Sequence, residues 1–220
     1  VVWAIAEGRA AAAVLHESTP KPKNFDPIGK AVLKKYAPVS VSYGFHFQPY
    51  AVGIFTPIIR QQVRKQRVSD QGHYTVYLPA YADSLLLKAL TKFKNLRWEV
   101  FSKHTRRSYK VENVTVQPIQ NEKFLKSMAT ATGVLCGAGF ETPAEALFLG
   151  KKLLVVPMKG QYEQQCNAAA LGAMGVPVMK SLQKKHFGLL AEWLSDATVT
   201  KVDYPDRTEA ILKLVLGQHG

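Results

Sequence analysis

An α/β fold built around a parallel sheet is predicted by three features of the chain. From His73 onward, segments rich in β-forming residues alternate with segments of helical periodicity. The strand-like segments are short continuous apolar runs, and one of them leads through a glycine turn straight into a marked helix start. Continuous apolar runs belong to strands covered on both faces, and strand–helix alternation joins such strands by right-handed crossovers. The expectation is a Rossmann-like, doubly wound domain over residues 53–220. Residues 1–52 are read as the remnant of a second, amino-terminal domain and its linker.

The elements follow in order. Tyr74 to Leu78 is β-rich and stops at Pro79, and Leu85 to Phe93 repeats its apolar residues at helical spacing. Trp98 to Phe101 and Val114 to Val116 read as the next strands, followed by a helix over Phe124 to Met128. Gly133 to Cys136 is a fourth strand, Thr142 to Leu149 a helix, Leu153 to Val156 a fifth strand and Gln161 to Met174 a helix. Two further helices are expected over Ser181 to Leu194 and Arg207 to Leu216. The first fifty residues break this rhythm: Gly8 to His16 and Pro27 to Tyr36 read as helices, Ser18 to Lys23 as a loop, and Val39 to Phe47 as a strand. Ile54 to Ile59 opens a new segment, which places the boundary near Tyr50 to Gly53.

With 220 residues, of which 47% are hydrophobic, the chain can bury one sizeable core or one core and a fragment of another. Its apolar stretches, such as Ala10 to Leu15, are too short to span a bilayer. Glu7 and Arg9 interrupt the apolar start and argue against a signal peptide. The absence of an initial Met, with strand and helix beginning at once, points to a missing upstream segment. Cys136 and Cys166 match no metal spacing and no disulfide framework, which suits reduced thiols in a cytoplasmic protein. The formal net charge is +13. Much of it lies in Arg60, Arg64, Lys65 and Arg67, and in Lys92, Lys94, Arg97, Lys103, Arg106, Arg107 and Lys110. Such charge suits phosphorylated small molecules, anionic membrane surfaces or nucleic acid, and equally a solvated surface.

The segment from Val134 to Met174 carries the chemistry. A buried strand runs into Gly137, Ala138 and Gly139, and a helix begins directly afterwards. Glycines allow close backbone approach, and a helix N-terminus presents free N–H groups with partial positive charge, so together they form an anion site. T-P-A-E has a purely structural reading as a capping box, with Thr142 as N-cap, Pro143 at the first helical position and Glu145 at the third. The dinucleotide fingerprint G-x-G-x-x-G is missing, and so is its later acidic residue, which argues against NAD. A second loop, Gly160 to Gln165, follows the next strand. Two loops at the carboxyl ends of neighbouring strands make the crevice in which open α/β sheets bind ligands, and the amides and carboxylate of the second suit the hydroxyls of a sugar.

The run G-x-G-F-x-T-x-x-E-A-L-x-L-G-K-x-L-L-V-V-P from Gly137 to Pro157, followed by E-Q-x-x-N-A from Glu163 to Ala168, resembles the C-terminal domain of GT-B glycosyltransferases that use UDP-sugars. It is similar to family 28 and its relatives, including the lipid-linked N-acetylglucosaminyltransferase of peptidoglycan synthesis, and more distantly to the plant-type enzymes. The resemblance covers Val116 to Val178 and extends back to Tyr74. It implies that the backbone of Gly137, Gly139, Phe140, Glu141 and Thr142 holds the donor diphosphate and that Glu145 binds the ribose. It further implies that Gln161, Glu163 and Gln164 contact the transferred sugar, and that Gln117 and Ile119 flank the uracil. The plant-type signature has a phosphate-binding His where Gly137 stands, so backbone donors or a nearby Lys or Arg must take its place. No metal or other cofactor is implied.

The function this implies is transfer of a sugar from a nucleotide-sugar donor to an acceptor hydroxyl, this chain holding mainly the donor half. A lipid-linked acceptor is among the candidates, with peripheral contact at the inner membrane face through the basic clusters. The relatives draw their general base from the amino-terminal domain, and no catalytic base can be named: His16 and His46 match no motif. Two other readings remain. One is a UDP-sugar epimerase or hydrolase on the same fold, for which the expected extra carboxylates and histidines are not clustered. The other is a non-catalytic nucleic-acid-binding module, in which Trp98, Phe101 and Tyr109 would stack on bases beside the basic residues.

Overall fold

A computed structural model describes residues 13–25, 27–36 and 41–219. Residues 13–15 close a helix, and the rest of the helix expected from Gly8 lies outside the described residues, as do Val39 and Ser40. Helix α1 (Pro27–Tyr36) follows, then two short strands, β1 (Gly44–Phe45) and β2 (Ile54–Phe55). These pair in parallel, Gly44 with Ile54 and Phe45 with Phe55, one strand on either side of residue 52. The strand expected over Val39 to Phe47 is thus reduced to two residues. After a short helix, α2 (Gln61–Arg64), the chain enters a larger sheet.

That sheet contains β3 (His73–Tyr77), β4 (Arg97–Ser102), β5 (Tyr109–Val111), β6 (Val114–Pro118), β7 (Gly133–Gly137) and β8 (Lys152–Val156). The helices between and after them are α3 (Asp83–Leu90), α4 (Asn121–Thr130), α5 (Glu141–Phe148), α6 (Tyr162–Ala173), α7 (Phe187–Ser195) and α8 (Thr208–His219). The strand order is β5-β6-β4-β3-β7-β8, and every pairing except β5 with β6 is parallel. The expected α/β class, doubly wound sheet and five parallel strands are therefore present. Strand β5 was not expected. Its residues are all exposed, so Tyr109 to Val111 lacks the apolar run that marks the others. Glu112, at a φ of 51°, turns the chain back into β6. The helix expected over Ser181 to Leu194 is shorter, a 3₁₀ turn at Lys184–His186 leading into α7.

Alternate residues of β3, β4, β7 and β8 feed two separate cores. Val134, Cys136, Leu153 and Val155 face one, with Phe124, Leu125 and Met128 of α4, Ala144 and Leu147 of α5, and Leu171 of α6. Tyr74, Val76, Trp98, Val100, Leu135 and Leu154 face the other, with Leu86 and Leu90 of α3 and Leu190 and Trp193 of α7. The alternation is the period-2 consequence of the pleat, and it lets a continuous apolar run serve both faces. Trp98 and Phe101 are each 1% exposed. This corrects the expectation that they could stack on nucleic acid, while Tyr109 donates its hydroxyl to Asp83.

The amino-terminal segment is tied to this unit on several sides. Phe25 meets the Tyr162 ring edge-on at 5.2 Å, and Phe47 packs on Phe140 at 5.3 Å. From the far end of the chain, the Tyr204 hydroxyl donates to the Phe47 carbonyl at 3.0 Å. Arg64 donates to the Tyr204 carbonyl at 2.7 Å. Close packing at the other edge is set by Gly133, where an added Cβ would lie 2.9 Å from Trp193 and 3.1 Å from the Lys152 Cβ. Gly133→Ala is expected to destabilise the fold by about 1–3 kcal/mol through overpacking, measurable as a lower midpoint in urea unfolding.

Candidate functional site

The parallel strands all end at one edge. The chain leaves β3 for β4 and β6 on one side, then returns to β7 and β8 on the other. The order β6-β4-β3-β7-β8 corresponds to the doubly wound arrangement, whose crevice opens where the winding reverses, here between β3 and β7. The chain leaves β3 and β7 at this same edge, Tyr77 pairing with Cys136 just before the two exits.

The glycine turn is built from backbone. β7 ends at Gly137, and helix α5 begins at Glu141. An added Cβ on Gly139 would meet nothing within 4 Å, so open space lies in front of this backbone. Neither Gly137 nor Gly139 adopts a positive φ; what they provide is access, not a special conformation. Asn167, fully buried on α6, donates to the Ala138 carbonyl at 3.2 Å and fixes the turn from behind. The Phe140 ring is committed to packing against Phe47, so only its backbone can take part.

The helix start differs from the expected capping box. Phe140 occupies the cap position and no side chain caps the helix. Thr142 lies within the first turn and Pro143 at the third helical position, which a proline also tolerates because the N–H groups of the first turn lack intrahelical acceptors. Glu145 does not reach back to a cap N–H. Its carboxylate takes two hydrogen bonds from Arg60, Nε to Oε1 at 2.6 Å and Nη2 to Oε2 at 2.9 Å. This is the bidentate fork that guanidinium and carboxylate form best. The Glu145 side chain is 5% exposed and that of Arg60 45%. The hydrogen bond to Glu145 raises the Arg60 pKa above its usual value, and Glu141 adds to the effect from nearby.

Arg60 also donates through Nη1 to Asn121 Oδ1 at 3.2 Å, and Asn121 in turn donates to Gln62 at 2.8 Å. One guanidinium thus joins the start of α4 to the second turn of α5. Arg60 was legible in the sequence only as one of several basic residues, since its partner lies 85 positions away. Just before α4, Gln117 pairs with Phe101 within the sheet and Ile119 stands exposed beyond it.

In the second loop, Gln161 is exposed at the cap position of α6. The Gln164 side-chain oxygen accepts from the Met158 N–H at 2.9 Å and lies 3.7 Å from where a Gly137 Cβ would stand. It therefore stitches its own loop and borders the glycine turn. Glu163 is half-buried, and that burial raises its pKa. Gln117, Ile119, the turn from Gly137 to Thr142, Glu145 and the loop from Gln161 to Gln164 thus all border the carboxyl edge. Both cysteines are buried free thiols. Among the described residues no helix is long and apolar enough to cross a membrane.

The two amino-terminal histidines differ. His16 accepts from the Ser18 N–H through Nδ1. His46 is fully buried, its Nδ1 accepting from the Phe47 N–H at 2.9 Å and its Nε2 without a partner. Burial, assisted by nearby Lys21, lowers its pKa from 6.5 to about 4.

The profile of a family described as glycosyl transferase family 1 matches residues 4–196. No curated protein sequence matches the chain significantly. Among solved structures, the spinosyn forosaminyltransferase SpnP is similar at 16% identity and a TM-score of 0.54, over 96% of this chain and 68% of its own. A glycotransferase of kitacinnamycin matches at 16% identity over 60% of this chain and 37% of its own, with a TM-score of 0.45. The spinosyn rhamnosyltransferase SpnG, solved with thymidine diphosphate, matches at 17% identity over 73% of this chain and 45% of its own, with a TM-score of 0.46. The chain spans less than half the length of the last two. The likeness to SpnP is one of fold, and it agrees with the GT-B expectation.

Two outcomes follow from this geometry. Thr142→Ala should change stability by less than ~0.5 kcal/mol, where loss of a true N-cap costs ~1 kcal/mol; thermal unfolding distinguishes the two. His46 binds a proton more readily unfolded than folded, so its contribution to stability is complete above pH 6.5 and is lost as pH falls toward 4. The loss should approach about 3 kcal/mol, and His46→Gln should flatten that part of the stability–pH curve.

Proposed function

The chain belongs to glycosyl transferase family 1, and from that membership we propose that it forms the donor-binding half of an enzyme moving a sugar from a nucleoside diphosphate to an acceptor hydroxyl. The observation that carries the reading is the open backbone turn at residues 137–141. It leads into a helix N-terminus at the winding reversal, with a buried carboxylate one turn further on. Backbone N–H groups and the helix dipole favour a diphosphate there, and a carboxylate suits the vicinal hydroxyls of a ribose.

The proposed donor lies along the carboxyl edge. Its base rests by Gln117 and Ile119, its ribose at Glu145, its diphosphate on the backbone of Gly137, Gly139, Phe140, Glu141 and Thr142, and its sugar by Gln161, Glu163 and Gln164. From β6 to β7 is three strand spacings, roughly 14 Å at ~4.8 Å each, a span that an elongated ligand of this kind covers. The resemblance of the motif favours uridine as the base.

During transfer the bond from the sugar's anomeric carbon to the diphosphate breaks, and negative charge grows on the departing oxygen. Backbone dipoles already aimed at that position stabilise it without reorganising. A general base removes the proton of the acceptor hydroxyl as the new glycosidic bond forms. We assign that base to no described residue; His46 is closed off from solvent, its Nε2 buried and without a partner. An amino-terminal domain would supply the base together with the acceptor site, a lipid-linked acceptor being one candidate.

Thermal shift with uridine, thymidine, adenosine and guanosine diphosphates tests the reading. A ligand at a hundred times its dissociation constant adds about 2.7 kcal/mol of stability. The expected result is a shift confined to the pyrimidine nucleotides and weakened in Glu145→Ala. Equal shifts with all four would reject base recognition at Gln117 and Ile119, and no shift with any would reject the donor site.

A further inference from the structure

We infer that Arg60 is a positioning residue for donor recognition: its fork on Glu145 fixes the carboxylate so that the oxygen lone pairs left over face the ribose hydroxyls. The inference rests on the proposed ribose role of Glu145 and adds to it a residue from outside the motif.

A ligand-free carboxylate paired with an arginine could work in two ways. The ribose could displace Arg60, or it could bind the carboxylate while Arg60 stays. Burial decides between them. With its side chain 5% exposed, Glu145 stripped of its counter-ion would be a buried, uncompensated charge, and neutral hydroxyls cannot replace that counter-ion. A carboxylate has about four acceptor positions, two on each oxygen. Arg60 takes one on each oxygen and leaves one on each, the number that a pair of vicinal hydroxyls needs.

Arg60 is itself held in place. Its backbone lies between Ile59 and Val63, both in the core, and its carbonyl accepts from the N–H of Val63 and Arg64 at 2.9 and 3.1 Å. Asn121 holds Nη1 from the opposite side, braced by Gln62. An anchored side chain, orienting a buried ligand-binding group through two parallel bonds, is the arrangement that preorganises a site. The segment bearing Arg60 also joins β2 to the sheet, so ribose recognition depends on how that connector is seated.

The test compares affinities of the whole chain for uridine diphosphate and its 2′,3′-dideoxy counterpart, and for thymidine diphosphate and its 3′-deoxy counterpart, by calorimetry. The wild type is expected to favour the hydroxylated ligand by about tenfold or more, the size of a hydrogen bond to a charged group. Arg60→Ala should bring that ratio close to one, and Arg60→Lys, which keeps the charge without the fork, should lower it several-fold. The double variant with Glu145→Ala removes the stranded carboxylate, and its ratio should fall no further than that of Glu145→Ala alone. If Arg60→Ala weakens both members of a pair equally and preserves the ratio, Arg60 contributes only charge or stability and the inference fails. If Glu145→Ala preserves the ratio while nucleotides still bind, the ribose assignment itself is wrong. If the wild type binds none of the four ligands, the donor-site reading falls and takes the inference with it.

Discussion

A parallel sheet has to bury both of its faces, because the helices that connect its strands lie across them. From that constraint most of this molecule follows. Strands such as Leu153 to Val156 must be apolar on every residue, since Leu153 and Val155 feed one core while Leu154 and Val156 feed the other. The interior then leaves little room for polar chemistry, which is confined there to paired groups such as Thr75 with Ser127. Most of it lies at the carboxyl edge, where five strands end and the helices present their unpaired N–H groups. The glycine turn, the buried Glu145 and the amide-bearing loop gather there because the rest of the sheet excludes them.

At that edge the molecule places a charge pair at the boundary between core and solvent. The Arg60–Glu145 fork spans a gradient, its carboxylate almost wholly buried and its guanidinium half-exposed. A pair buried on both sides would face a desolvation cost that its attraction seldom offsets, and an exposed pair would be worth little. Here the acid is rigid and shielded while the base remains in contact with water. Arg64, in the neighbouring turn, does different work: it stacks on Phe148 at 4.9 Å and holds the Tyr204 carbonyl. Arg60 and Arg64 therefore contribute to the formal charge without forming a diffuse basic surface.

Much of the fold could be read from residue order because its signals are local. Tyr74 to Leu78 and Leu153 to Val156 have the composition of buried strands, and the turn at Gly137 to Gly139 announces a helix directly after it. What escaped was non-local or chemically bland. Strand β5 is held by pairing with β6, not by its own exposed Tyr-Lys-Val. Thr142 and Glu145 mimic a capping box so closely that only the fold, by bringing Arg60 from 85 positions away, shows where the carboxylate's hydrogen bonds come from. Asn167 lay within the recognised motif, yet its bond to the Ala138 carbonyl needed the fold to bring α6 behind the glycine turn.

The clasp between Tyr204 and Phe47 joins residues 157 positions apart. Contacts of such separation are the slowest to form, since loop-closure entropy is lost before any contact rewards it. During synthesis the segment around Phe47 leaves the ribosome long before Tyr204 is made. The strands from β3 to β8 can pair meanwhile, yet the Phe47 carbonyl stays unclasped until Tyr204 has emerged. The order of translation therefore completes the clasp only after every residue that holds Arg60, Asn121 and Glu145 included, has already been made.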